Sequence, residues 1–99
     1  MKMLAESFTK EQFHHVQVWR EGMHAIYKRW KTNEENARWE AIRIKVLPER
    51  EFNGTLIPEH EAYPSSSEWG GVTAKTLESY EKAMDVIREW KSRPEREQK

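Results

Sequence analysis

The run from Glu61 to Trp90, EAYPSSSEWGGVTAKTLESYEKAMDVIREW, constrains the fold more than any other part of the chain. It opens in turn chemistry at Pro64, Ser65, Ser66 and Ser67, then passes an aromatic–glycine hinge at Trp69, Gly70 and Gly71. It ends in helical periodicity. Leu77, Tyr80, Ala83 or Met84, Ile87 and Trp90 recur at the spacing that lines up apolar side chains on one helix face. With Thr73 as its cap, the pattern predicts a C-terminal helix over about 74–91.

Upstream, the period changes. Ile42, Ile44 and Val46 alternate with Arg43 and Lys45, the period-2 pattern of a half-buried strand. A strand needs a partner, and Ile26–Lys31 is the nearest candidate, with Thr32–Ala37 as the connecting loop. A β-hairpin over about 24–46 is therefore expected. Nearer the N-terminus, Thr9-Lys10-Glu11-Gln12 reads as a helix capping box, and Phe8 and Phe13 stand at the two staple positions. Phe13, Val16 and Trp19 or Arg20 continue at helical spacing, which predicts an N-terminal helix. Gly22 would cost about 1 kcal/mol inside it. In the alternative all-α reading, Met23, Ile26 and Trp30 extend that helix to Thr32, and a helical hairpin is capped at Asn33.

Pro48 stops the second strand. Asn53-Gly54 is a tight-turn signal between Glu51-Phe52 and Thr55-Leu56, making either a small second hairpin or a loop. The expected class is α+β: N-terminal helix, hairpin, irregular loop, C-terminal helix. At 99 residues the length suits one domain, set at 1–91, with 92–99 as a charged tail broken at Pro94.

Composition narrows the chemistry. There is no cysteine, so thiolate metal sites and disulfides are excluded. No apolar run approaches the roughly 18 residues of a membrane helix, and MKMLAESFTKEQ lacks the apolar centre of a signal peptide. A cytoplasmic, soluble protein without membrane partners is expected. Net charge is zero but unevenly placed: residues 1–50 carry +3 and residues 51–99 carry −3. Neutrality argues against a dedicated nucleic-acid binder, though not against a local basic patch. Five tryptophans in so short a chain serve first to build the core of a small domain, with at least one expected to be partly exposed, as a Trp on a binding surface would be.

Catalytic and metal motifs are missing. His14 and His15 are adjacent and would point about 100° apart on a helix. Glu59-His60-Glu61 has no second histidine at helical spacing, so the zinc-protease pattern is absent. Ser65–Ser67 lie near His60 and Glu61, but Pro-Ser-Ser-Ser is turn chemistry, and no nucleophile elbow is present. No catalytic residue, cofactor or metal is expected. Two surfaces remain as candidates for binding. In one register of the expected hairpin, Tyr27, Arg29, Lys31, Trp39, Arg43 and Lys45 share a face, a stacking platform with phosphate contacts. The acidic loop with Glu59, Glu61, Tyr63, Glu68 and Trp69 is the second, suited to a basic partner.

The order Trp39-Glu-Ala-Ile-Arg-Ile44, then Glu61-Ala-Tyr-Pro-Ser-Ser-Ser-Glu-Trp-Gly70, then Thr76-Leu-Glu-Ser-Tyr80, resembles small uncharacterised proteins of phages and other mobile elements. The resemblance spans about residues 24–90 and omits the N-terminal segment. This chain has Gly71-Val72-Thr73 where the pattern has a second aromatic before the threonine. The resemblance implies an α+β fold, a phage or mobile-element origin, and action by binding a host protein, as an inhibitor for instance. A nucleic-acid-binding accessory protein is the alternative, and an edge strand with surplus aromatics would suit a homodimer.

Overall fold

The computed structural model of the chain describes residues 2–31, 36–65, 69 and 73–92. It is a mainly β protein with a single C-terminal helix among the described residues, not the expected α+β chain with a helix at each end and not all-α. Strands β1 (Ser7–Lys10), β2 (Phe13–Glu21), β3 (His24–Lys31), β4 (Arg38–Arg43) and β9 (Ala74–Leu77) form one antiparallel sheet in the order β1-β2-β3-β4-β9. Between β4 and β9 the chain makes β5 (Lys45–Leu47), β6 (Arg50–Phe52), β7 (Thr55–Ile57) and β8 (His60–Ala62). Helix α1 (Tyr80–Ser92) follows β9.

The expected N-terminal helix is a β-hairpin. Thr9–Gln12 is no capping box: Glu11 and Gln12 stand at φ of 52° and 71° and form the two-residue turn joining β1 to β2. Positive φ at both central residues is the type I′ geometry whose twist matches a hairpin. Phe8 and Phe13, read as a helix staple, sit on the two strands flanking that turn. The next connection is equally tight. Glu21 pairs with His24, and Gly22 at φ 59° holds the first position of the two-residue loop. Gly22 thus ends a strand where the alternative reading had it inside a helix. The apolar stripe Phe13, Val16, Trp19 suits either period because β2 carries a bulge between Gln17 and Trp19, which breaks the alternation.

The expected pairing of Ile26–Lys31 with the strand after it is present from His24↔Arg43 to Arg29↔Arg38, but that strand ends at Arg43, and Lys45–Leu47, expected to continue the hairpin to about residue 46, pairs instead with His60–Ala62. Thr32–Glu35 of its loop lie outside the described residues. The C-terminal helix starts later than expected. Ala74–Leu77 is the edge strand β9, and Ser79 rather than Thr73 caps the helix, its hydroxyl accepting from the Lys82 amide at 3.2 Å. Leu77 belongs to both patterns, since it packs against the helix from the strand.

The sheet is covered on both faces in its middle, so Ala25, Ile26, Tyr27, Ala41 and Ile42 are all buried and β3 and β4 lose their alternation. On one face Ile26, Ala41, Trp19, Trp39 and Leu77 meet Ala83, Ile87 and Trp90 of α1. On the other, Ala25, Tyr27, Ile42, Ile44 and Ala74 pack with Leu4 and Phe8 from the N-terminal segment and β1, Met23 from the β2–β3 turn, and Tyr63 from the stretch after β8.

The four short strands β5 to β8 are one long ribbon. Lys45↔Ala62, Leu47↔His60, Arg50↔Ile57 and Phe52↔Thr55 keep a single register with no slip. Extending that register sets Pro48 opposite Glu59 and Pro58 opposite Glu49, so each strand loses an N–H at the same level and the ladder breaks there. The ribbon turns at Asn53-Gly54, both at positive φ, which realises the hairpin that this dipeptide signalled.

Candidate binding sites

Two regions stand out, a groove on the helix-free face of the sheet and the tip of the ribbon. The groove is built from cross-strand neighbours. His15 on β2 lies opposite Arg29 on β3, Arg29 opposite Arg38 on β4, and Glu40 one position diagonal to Arg29. Glu40 is 2% exposed, a costly place for a carboxylate unless its oxygens are satisfied. They are: Tyr63 donates its hydroxyl to Oε1, Arg29 Nη1 stands 3.1 Å from Oε2, and His15 Nε2 lies 3.5 Å from Oε1. Burial first, then the neighbouring carboxylate, pushes the Tyr63 phenol well above its ordinary pKa, so it remains a donor.

Aromatic rings frame this network. Phe8 stacks on the His15 ring at 4.5 Å, and Tyr63 meets His15 and Phe8 edge-on. The Arg29 guanidinium lies 4.4 Å from the Phe13 ring centre. Trp69, 36% exposed, is pinned by an Nε1–H donated to Thr76 Oγ1 on the edge strand at 2.9 Å. Phe13, His15, Arg29, Glu40, Tyr63, Pro64 and Trp69 line a cavity of about 170 Å³ with Lys10 and Glu11 at its rim, and a second hollow between Phe13, Arg29, Asn36 and Arg38 adjoins it. Arg29 Nε and His15 Nδ1 are buried with no hydrogen-bond partner among the described residues.

The expected stacking platform is divided. Tyr27, Arg29 and Lys31 share the groove face, but Trp39 and Arg43 pair with Lys28 and His24 and belong to the helix face. Lys45 lies on the ribbon. Tyr27 is fully buried and offers no ring to a base; it accepts from Gln17 Nε2 and donates to the Ala5 carbonyl. A single-residue offset in the pairing explains the division, since it sends a side chain to the opposite face.

The second expected surface is divided as well. Glu59 is exposed on the ribbon, whereas Glu61 is held by a two-pronged Arg20 contact, both N···O distances 2.7 Å, and by the Leu4 amide at 2.9 Å. Arg20 first, aided by the Leu4 amide, holds the Glu61 carboxyl down at about 2 from its ordinary 4.5. Glu68 lies outside the described residues, as do Gly70, Gly71 and 93–99 of the tail. Tyr63 and Trp69 instead join Arg29 at the groove, so the structure fuses part of one surface with part of the other. Sequence reasoning missed Lys10, Phe13, His15, Arg38 and Glu40. The available signal was Glu40 itself, a lone acid in the otherwise apolar Trp39–Ile42 run.

The ribbon tip is the second region. Its base is tied to the body through Arg20–Glu61, through Glu61 N–H donating to the Lys2 carbonyl, and through Ile44 N–H donating to Met23. Beyond the prolines, β6 and β7 pair with each other and no other strand or helix packs substantially on them among the described residues. Phe52 is 59% exposed and Leu56 61%. Phe52 pairs with Thr55 and Leu56 with Glu51, so the two apolar side chains project from opposite sides of the ribbon.

No protein-family model, curated protein or solved structure matches the chain. Among the described residues no group of three or more histidine or acidic side chains could hold a metal, and no helix is long and apolar enough to cross a membrane, which leaves β-barrels unaddressed.

Proposed function

We propose that the chain is a protein-binding module that works through the ribbon tip and without turnover. The observation carrying this reading is a hairpin anchored at its base and, among the described residues, uncovered on both sides at its tip, with Phe52 and Leu56 exposed in opposite directions. A two-stranded hairpin is marginal in water by itself, and exposing its largest apolar side chains has no benefit to the folded monomer. An arm apolar on both sides fits a cleft that grips it from above and below, rather than a flat surface. Glu49, Glu51 and Glu59 outnumber Arg50 around the tip, so a cleft rimmed by basic side chains complements it. Non-catalytic action is favoured because Glu40, the buried acidic residue among the described residues, has its oxygens engaged by Tyr63 and Arg29. The likeness to phage and mobile-element proteins makes a host protein the first partner class to test. The nucleic-acid alternative is the second reading; it calls for a continuous stacking platform, whereas Tyr27, Arg29 and Lys31 share a face without Trp39 and Arg43.

The test places a photoreactive phenylalanine analogue at position 52 and irradiates the chain in its native cells. A discrete adduct that disappears with Leu56→Ser supports the arm as the contact. An adduct with a second copy of the chain identifies the homodimer as the partner. A diffuse smear unaffected by Leu56→Ser removes the reading.

A further inference from the structure

The groove is independent of the arm and asks for a ligand of its own. Arg29 and Arg38 stand directly opposite each other on β3 and β4, a like-charge pairing that is unfavourable in a sheet without an anion between or beside the two. Glu40 balances Arg29, at 3.1 Å, whereas the Arg38 guanidinium contacts the Ala37 carbonyl at 3.2 Å and acts only through space on the exposed Glu78 carboxylate. The Arg29 fork is fixed in place by Glu40 on one side and by the Phe13 ring beneath it, and its Nε–H has no acceptor among the described residues. A buried carboxylate that orients an arginine is weak evidence for stability, because an apolar pair of the same size would serve the fold as well. It makes better sense as the support that holds the fork toward a ligand. His15, 6% exposed, stands behind it with Nδ1 also unpartnered.

Size and charge narrow the ligand. The cavity of about 170 Å³ is that of one ring, close to the roughly 150 Å³ that holds benzene in an apolar core. Trp69 and Phe13 provide aromatic walls, and fork-shaped arginine donors match a carboxylate in two-point geometry. Glu40 at the floor disfavours a dianion such as phosphate. We infer that the groove is a binding site for a small single-ring organic carboxylate, with the acid group at Arg29 and Arg38 and the ring against Trp69.

Benzoate is the probe, titrated into the full chain while the Trp69 indole N–H and Arg29 Nε–H resonances are followed by NMR. Half-saturation near 1 mM or below is expected for a nine-atom ligand. Benzamide should bind at least tenfold more weakly and benzamidinium not at all. Arg29→Lys and Arg38→Gln should each weaken benzoate about tenfold, the first because a point charge replaces the fork. Circular dichroism and melting temperature establish that both variants are folded. Phe52→Ser should leave benzoate binding unchanged, which keeps this result separate from the arm's role. The inference is overturned if benzamide binds as well as benzoate, if phosphate or uridine monophosphate binds more tightly, or if 10 mM benzoate moves neither resonance.

Discussion

The two faces of the five-stranded sheet are held by different physics. On the helix face, Ile26 and Ala41 meet Ala83, Ile87 and Trp90, and the stabilisation is apolar area removed from water. On the opposite face, a ring of aromatics is threaded by charge: Glu40 with Arg29, Tyr63 and His15 in the groove, and Glu61 with Arg20 at the ribbon base. The helix is one continuous stripe and covers its area in a single piece. The other face is covered by separate segments arriving from residues near the N-terminus and after β8, so paired polar groups fix where each one lands. The first face is insensitive to chemistry and sensitive to volume. The second is the reverse.

The largest effect should therefore come from volume on the helix face. Ile87→Ala removes a fully buried side chain, and about 4 kcal/mol of stability should go with it. The loss, read from urea unfolding, should be the same at low and high salt. Benzoate binding in the remaining folded protein should not change. A salt-dependent loss would break the comparison.

On the charged face the matching change is Arg29→Met, which leaves Glu40 buried without its cation and should cost about 3 kcal/mol. Removing the charge as well, in Arg29→Met with Glu40→Gln, should regain most of that loss. Two separate apolar truncations would simply add; a buried ion pair does not. If the double variant is as unstable as the sum of the singles, the network is packing rather than electrostatics.

Acid separates the faces further, with one crossover. The Glu61 carboxyl is held below its ordinary pKa, so its contribution is complete above about pH 4.5 and is lost as pH falls toward 2. The shift corresponds to about 2 kcal/mol after an allowance for solvent screening. Glu61→Gln should remove that part of the acid transition. The crossover is His24, which lies on the helix face 6.3 Å from the Trp90 ring, with its Nε2 buried and unpartnered among the described residues. Burial, then Arg43, lowers its pKa below the ordinary 6.5. A lowered histidine pKa means that the unfolded chain binds the proton more readily, so stability is complete above pH 6.5 and declines below it. A melting-temperature series from pH 7 to 3 should show an early decline abolished by His24→Asn and a later one abolished by Glu61→Gln.

What the sequence disclosed follows the same division. The helix stripe was legible because Ala83, Ile87 and Trp90 face a single covered surface and keep their period. The β3–β4 pairing was legible in part, since Ile42 and Ile44 alternate, but double-sided burial of Ala25, Ile26 and Tyr27 erased the alternation that would have set the register. Without the register, the sequence pattern does not separate the two faces, and it sets Trp39 and Arg43 beside Arg29. The groove was not legible because its parts converge from β1, β2, β3, β4 and the segment around Tyr63, and no local spacing encodes that meeting.

The two I′ turns show how far local chemistry carries, and they supply the smallest expected effect. Asn53-Gly54 announces its turn because both residues tolerate positive φ. Glu11-Gln12 adopts the same conformation with side chains that disfavour it, at φ of 52° and 71°, and so reads as a helix start. Placing Asn-Gly at 11 and 12 should relieve that strain and stabilise the chain by about 1 kcal/mol, a rise of several degrees in melting temperature. The gain should be indifferent to salt, like the helix face, although the turn sits at the rim of the charged groove. Removing Glu11 also makes that rim more basic, so benzoate should bind slightly more tightly in the same variant. A stability gain without any change in benzoate affinity would mean that the rim carboxylate is fully screened, and that the field in the groove belongs to Arg29, Arg38 and Glu40 alone.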